Sequence, residues 1–136
     1  MRIVAILAVR NEGLYLSRCL KHLHSQNIET CIIENESTDE TIEIAESYIN
    51  HGVFKILKVP YRGYYDWFGL LKIKEKLSYE IVADWFIHCD ADEIREAPEP
   101  FVNLHEAIFY VDSQGYNAIN FDEFVFLPTT DYESFE

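Results

Sequence analysis

The chain alternates short apolar runs with stretches whose apolar positions recur every three or four residues. Ile3 to Val9 is the first run. With no polar alternation and strand length, it predicts a strand buried on both faces. Arg10-Asn11-Glu12-Gly13 breaks it. Leu16, Leu20 and Leu23, with Cys19 on the same side, then mark one stripe of a helix. Thr30 to Ile33 predicts a second strand, ending at Glu34-Asn35-Glu36. Ser37 with Glu40 reads as a capping box, opening a helix with Ile42, Ala45 and Ile49 on its apolar stripe. Asn50-His51-Gly52 stops that helix, and Phe54 to Val59 predicts a third strand closed by Pro60. Leu70 to Tyr79 reads as a helix with Leu70, Ile73 and Leu77 inward. Asp84 to Asp90 is the fourth strand. A further helix holds Leu104, Ile108 and Val111, and Gly115 ends it. Tyr116 to Leu127 predicts a long fifth strand closed by Pro128, with Ile119, Phe121, Val125 and Leu127 on one face. Glu123 falls among those apolar positions, where a carboxylate has to be paired or functional.

The order βαβαβ-α-β-α-β predicts an α/β fold: a mostly parallel, Rossmann-like sheet with helices on both faces. Neither a Gly-x-Gly-x-x-Gly turn nor a Gly-Lys-Ser/Thr loop is present, so dinucleotide-binding and P-loop readings lack their fingerprint. The stretch richest in chemistry is Trp85-Phe86-Ile87-His88-Cys89-Asp90-Ala91-Asp92-Glu93. In open α/β sheets ligands sit beyond the carboxyl ends of the strands, which is where Asp90 and Asp92 fall. Two carboxylates at this spacing suit Mg²⁺ or Mn²⁺, which take oxygen ligands and share them with substrate phosphates. The plainer alternative is a solvated acidic loop. Tyr61 to Gly69 packs five aromatics beside Arg62 and Asp66. It reads either as a wall for stacking a base or sugar or as a satellite cluster under a loop. Lys72, Lys74 and Lys76 form the most basic part of the chain, and Lys72 is assigned a nucleotide phosphate.

Composition narrows the partners. The 136 residues are 49% hydrophobic, enough for a single domain over 1–136 with its own core. A net charge of −13 repels nucleic acid and anionic membranes, so an anionic ligand needs a metal or a local basic cluster. Cys19, Cys31 and Cys89 are odd in number, lie in apolar contexts and form no Cys-x-x-Cys pair. They predict reduced thiols in a cytoplasmic protein. The apolar run after Met1-Arg2 is too short for a secretory signal, and no run approaches the ~20 residues of a membrane span.

Three stretches, in order, resemble family 2 glycosyltransferases of the A-type, nucleotide-diphospho-sugar transferase fold. Ile3–Val9 running into Asn11-Glu12 resembles the family's strand ending in Tyr-Asn-Glu. Ile32-Ile33-Glu34-Asn35-Glu36-Ser37-Thr38-Asp39-Glu40-Thr41 resembles Val-Val-Asp-Asp/Asn-Gly-Ser-Thr-Asp-Gly-Thr. Ala83 to Glu93 resembles Gly-Glu-Tyr-Ile-x-Phe-Leu-Asp-x-Asp-Asp/Glu. The resemblance implies metal-dependent transfer, with inversion, of a sugar from a nucleotide diphosphate to an unidentified glycan, lipid or protein acceptor. UDP-sugars are the commonest donors in the family. Asp92 matches the principal ligand for Mn²⁺ or Mg²⁺. Asp90 matches a residue contacting ribose, or the metal through water. Glu12 and Asn35 match positions that hold base and ribose, although Asn35 departs from the commoner Asp and Glu36 from the family's Gly. Ser37 and Asp39 also match, but helix capping accounts for them. Family domains continue further and supply an acceptor pocket and a carboxylate general base. Here Asp122, Glu123 and Asp131 are candidates for the base by chemistry alone, Glu123 being the one singled out. The chain is therefore expected to lack part of the acceptor-binding region. Its alternatives are a non-catalytic nucleotide-sugar-binding module, an interaction domain and, more distantly, a haloacid-dehalogenase-type phosphohydrolase. An exposed sheet edge would invite a homodimer.

Overall fold

The structure, a computed structural model, describes residues 1–127. Pro128 and Asp131 lie outside the described residues. Four strands, β1 (Ile3–Val9), β2 (Glu29–Glu34), β3 (Val53–Lys58) and β4 (Trp85–His88), form one sheet in the order β3-β2-β1-β4. Every pairing is parallel. The helices are α1 (Leu16–Ser25), α2 (Thr41–Ser47), α3 (Trp67–Glu80) and α4 (Leu104–Ser113).

β1 is central, and its two sets of side chains enter two cores. Ile3, Ala5, Leu7 and Val9 pack with Leu16, Leu20 and Leu23 of α1, Ala45 of α2, and Leu104 and Ile108 of α4. Val4 and Ile6 pack with Cys31 and Ile33 of β2 and with Leu70 and Leu77 of α3. Helices thus cover both faces, which is why β1 carries no polar residue. The edge strand β3 is covered less completely, with Phe54 36% exposed. α3 begins three residues before its predicted start, because Asp66 caps it by accepting from Gly69 N at 2.9 Å. A Cβ on Gly69 would stand 2.2 Å from Asp66 Oδ2, so a larger residue there would make the capping carboxylate shift.

Two expectations fail. Tyr116–Leu127 forms no strand. Its alternating pattern has no partner strand to hydrogen-bond among the described residues, and a strand exists only in a ladder. Ile119 and Phe121 pack against the first core, while Phe124 to Leu127 are exposed. Asp122 and Glu123 are exposed as well, so the burial argument that singled out Glu123 does not hold. The second failure is the Ser37/Glu40 capping box. α2 starts at Thr41 with no side-chain cap on its N-cap residue, and Ser37 is used elsewhere.

Candidate functional site

Because β1 is followed in sequence by β2 on one side and flanked by β4 on the other, the sheet has its switch point between β1 and β4. A crevice opens beyond the carboxyl ends at such a point. Three tips converge there: Arg10-Asn11-Glu12 after β1, Asn35-Glu36 after β2 and Cys89-Asp90 after β4.

The first two tips are tied together by a dense set of hydrogen bonds. Asn11 and Glu36 take positive φ of 55° each, which turns the chain sharply at both strand ends. Asn11 N donates to Ser37 Oγ at 3.1 Å, and Asn11 Oδ1 accepts from Thr38 N at 2.8 Å. Glu12 N donates to Thr41 Oγ1 at 2.8 Å, and Gly13 N to Asp39 Oδ2 at 3.1 Å. Asp39 Oδ1 accepts from Thr41 N at 2.9 Å and also from the Thr41 hydroxyl. A Cβ on Gly13 would lie 2.7 Å from the Glu40 carboxyl, so a larger residue there would displace that side chain. Buried Glu34 accepts from Ser37 N at 2.6 Å and from Glu36 N at 3.2 Å. Arg10 donates to the carbonyls of Asn35 and Glu36 and stacks 3.5 Å from the Tyr61 ring centroid.

The electrostatics show what faces what. Burial, then Asp92, Asp90 and Asp39, raise the pKa of Glu12. Glu12 is thus within electrostatic reach of the Asp-x-Asp pair across the switch point. Asp90 and Asp92 are both exposed, whereas Ala91 between them is buried and anchors the turn. Tyr65 belongs to the aromatic stretch, and its hydroxyl is raised by burial, Asp90 and Glu12. Tyr65 is therefore within electrostatic reach of Asp90 and Glu12.

Asn35 is only 5% exposed. Its Nδ2 donates to the carbonyls of Val59 and Pro60, both at 3.1 Å, which leaves Oδ1 as its free acceptor. It lines a cavity of about 280 Å³ with Arg62, Tyr64, Asp66 and Ile73.

Lys72 is exposed on α3 and sits apart from Lys74. Lys74 is buried instead, and its Nζ lies 3.0 Å from His88 Nδ1 at the end of β4. An ammonium can only donate, so Nδ1 accepts and the His88 proton sits on Nε2. Burial pushes the Lys74 pKa down, and Asp90, Cys89 and Glu93 oppose that shift. His88 is lowered by burial and by Lys74. The sequence did hold a signal for Lys74. It is four residues from Leu70 and three from Leu77, on the apolar stripe, where a lysine is out of place. The thiols of Cys19 and Cys89 are buried, and Cys19 Sγ lies 4.0 Å from Asp90 O.

Among the described residues no three of His, Cys, Asp or Glu are grouped to hold a metal ion by themselves. Glu12 nevertheless feels the charges of Asp90 and Asp92, and carboxylate oxygens are the ligands that a hard divalent cation takes. No helix of the described residues is long and apolar enough to cross a membrane.

The sequence profile of glycosyl transferase family 2 matches residues 4–66. That span runs from β1 into the aromatic loop and stops short of Asp90. An uncharacterized glycosyltransferase of Rickettsia conorii is 32% identical over 92 residues, covering 68% of this chain and 29% of the relative. One from Rickettsia prowazekii is 28% identical over 92 residues, covering 68% of this chain and 28% of the relative. The chain thus spans 28–29% of the length of these relatives. Among solved structures, S. aureus TarS superposes with a TM-score of 0.63 at 21% identity, covering 85% of this chain and 20% of TarS. The TarS 1–349 structure in complex with UDP superposes at 0.61 with 20% identity, over 85% of this chain and 33% of that one. The TarS likeness shows the fold. The profile match over residues 4–66, the Rickettsia relatives and the motif order along β1, β2 and β4 identify a glycosyl transferase family 2 domain in this chain, of which it carries a part.

Proposed function

We propose that this chain is the donor-binding part of a metal-dependent, inverting glycosyltransferase that uses a nucleotide-diphosphate sugar. The observation that carries the reading is the arrangement at the switch point, where the sheet order sets Glu12 against Asp90 and Asp92. An acidic cluster on a chain of net charge −13 repels a diphosphate unless a cation stands between them. Asp90 and Asp92 would hold Mn²⁺ or Mg²⁺, with the phosphates completing the shell. Such an ion, when bound, neutralises charge growing on a departing nucleotide diphosphate.

The chain's own residues do the rest. Lys74 places a positive charge within electrostatic reach of Asp90, held by His88 in one direction. The cavity beside Asn35, walled by Arg62 and Tyr64, is the place for base and ribose, and the Asn35 Oδ1 acceptor suits a base that presents an N–H. The UDP bound by TarS supports a uridine nucleotide as the donor's leaving group. The acceptor is a glycan, lipid or protein hydroxyl, and no described residue is assigned as its base.

The test is calorimetric titration of UDP, GDP and dTDP with Mn²⁺, repeated in EDTA. Binding of UDP that disappears on chelation is expected. Asp92→Asn should remove that binding while leaving the circular dichroism spectrum unchanged. Unaltered affinity in this variant would refute the metal role. Binding without turnover of any UDP-sugar would mark the chain as a donor-binding module.

A further inference from the structure

The Asp90-Ala91-Asp92-Glu93 turn is exposed at its two aspartates, yet one residue beyond it fixes its shape. Arg95 Nη2 donates to His88 O at 2.8 Å and to Glu93 Oε2 at 2.8 Å. The same Glu93 oxygen accepts from Asp90 N at 3.1 Å, and Glu93 N donates to Asp90 O at 3.1 Å. The Arg95 carbonyl lies 2.7 Å from His22 Nε2 on α1. Its guanidinium sits 5.0 Å from the ring centroid of Phe121. Arg95 therefore grips the last residue of β4, the turn, α1 and the segment after α4 together. Its side chain is 20% exposed, and that of Glu93 41%, so the Arg95–Glu93 bond is partly sheltered from water. The Arg95 Nε is buried with no partner, so the guanidinium is oriented for its Nη2 contacts at the expense of that donor.

We infer that Arg95 is a positioning residue for the Asp90/Asp92 pair, holding Glu93 so that Glu93 pins the Asp90 backbone before any cation arrives. The inference rests on the proposal that this pair binds a metal–nucleotide. Two exposed carboxylates of like charge separate unless the backbone between them is held, and a metal needs both at a set spacing. Arg95 meets that need with a planar fork. Nη2 donates to both His88 O and Glu93 Oε2 while the guanidinium sits over the Phe121 ring, and the point charge of a lysine ammonium has no such fork.

The experiment compares wild type, Arg95→Ala, Arg95→Lys and Glu93→Gln. Glu93→Gln weakens the same link and leaves the Phe121 contact in place, so it serves if Arg95→Ala does not fold. Two quantities are measured: Mn²⁺-dependent UDP affinity by calorimetry, and amide hydrogen exchange at Asp90 and Glu93. Arg95→Ala and Glu93→Gln are expected to weaken affinity by about tenfold or more, with Arg95→Lys between them and wild type. Protection at Asp90 and Glu93 should fall while protection along β1 and β2 is kept. Affinity within about twofold of wild type in both variants, or unchanged protection at the turn, would overturn the inference, since loss of such a support typically costs 10–100-fold. A wild-type protein that binds no UDP refutes the nucleotide proposal alone, because the exchange rates still decide whether Arg95 holds the turn.

Discussion

Asp39 offers the sharpest test of how the β1 and β2 tips are joined. Its carboxylate accepts three hydrogen bonds: from Gly13 N at 3.1 Å, from Thr41 N at 2.9 Å and from the Thr41 hydroxyl. Thr41 is fully buried, and its hydroxyl also accepts from Glu12 N at 2.8 Å. Asp39 therefore orients the group that seats Glu12. Asp39→Ala strands the N–H groups of Gly13 and Thr41 and lets the Thr41 hydroxyl turn. Bonds to an ionised acceptor contribute about 1.5–3 kcal/mol each when sheltered, and less where water competes, so the three together come to about 2–4 kcal/mol. Ser37, by contrast, accepts one bond through its hydroxyl, from Asn11 N at 3.1 Å, and caps nothing. Ser37→Ala should cost about 0.5–1 kcal/mol. Urea unfolding at neutral pH, with equal m-values, measures both. If Ser37→Ala costs as much as Asp39→Ala, or if Asp39→Ala costs under about 1 kcal/mol, the hydrogen-bond account fails and the capping box returns. The pH dependence has a definite sign. Burial opposes ionisation of Asp39, but the Thr41 and Gly13 bonds outweigh it and hold its carboxyl below the ordinary value. Its contribution is present above the unfolded-state value and is lost as pH falls through the lower, folded one. Asp39→Ala should lose this part of the acid dependence.

Other outcomes follow from the charges at the site. Glu12 has a raised pKa, so its contribution to stability is present below the ordinary glutamate range and lost as pH rises through its folded value. Glu12→Gln should therefore raise the melting temperature of the cation-free protein at neutral pH, with a smaller gain in high salt; a lowered melting temperature would refute the repulsion. Mn²⁺ should raise the wild-type melting temperature and do so less in Asp92→Asn. Lys74→Met replaces a buried ammonium with an apolar chain of similar length, so stability should stay within about 1 kcal/mol while UDP affinity falls. Loss of folding in that variant would mean that the Lys74–His88 bond is structural.

The parts of this protein legible in its sequence are those set by local pattern. Ile3–Val9 announces a strand buried on both faces, since no polar residue interrupts it, and the alternation of runs and stripes gives a parallel sheet with helices on both sides. The three strand-end motifs point to the carboxyl edge of that sheet. What needed the tertiary structure is pairing between distant segments. Tyr116–Leu127 has a strand's alternation but no ladder, because alternation says nothing about whether a partner stands alongside. Ser37 and Glu40 have the spacing of a capping box, yet Ser37 accepts from Asn11 of another loop. Lys72, Lys74 and Lys76 are alike as a sequence pattern. Helix phase against the sheet leaves Lys72 in water and turns Lys74 inward against His88. Glu12 feels the charges of Asp90 and Asp92 only because β4 lies beside β1 in the sheet. Residues some eighty positions apart come within electrostatic reach through strand order, and strand order is a property of the whole chain.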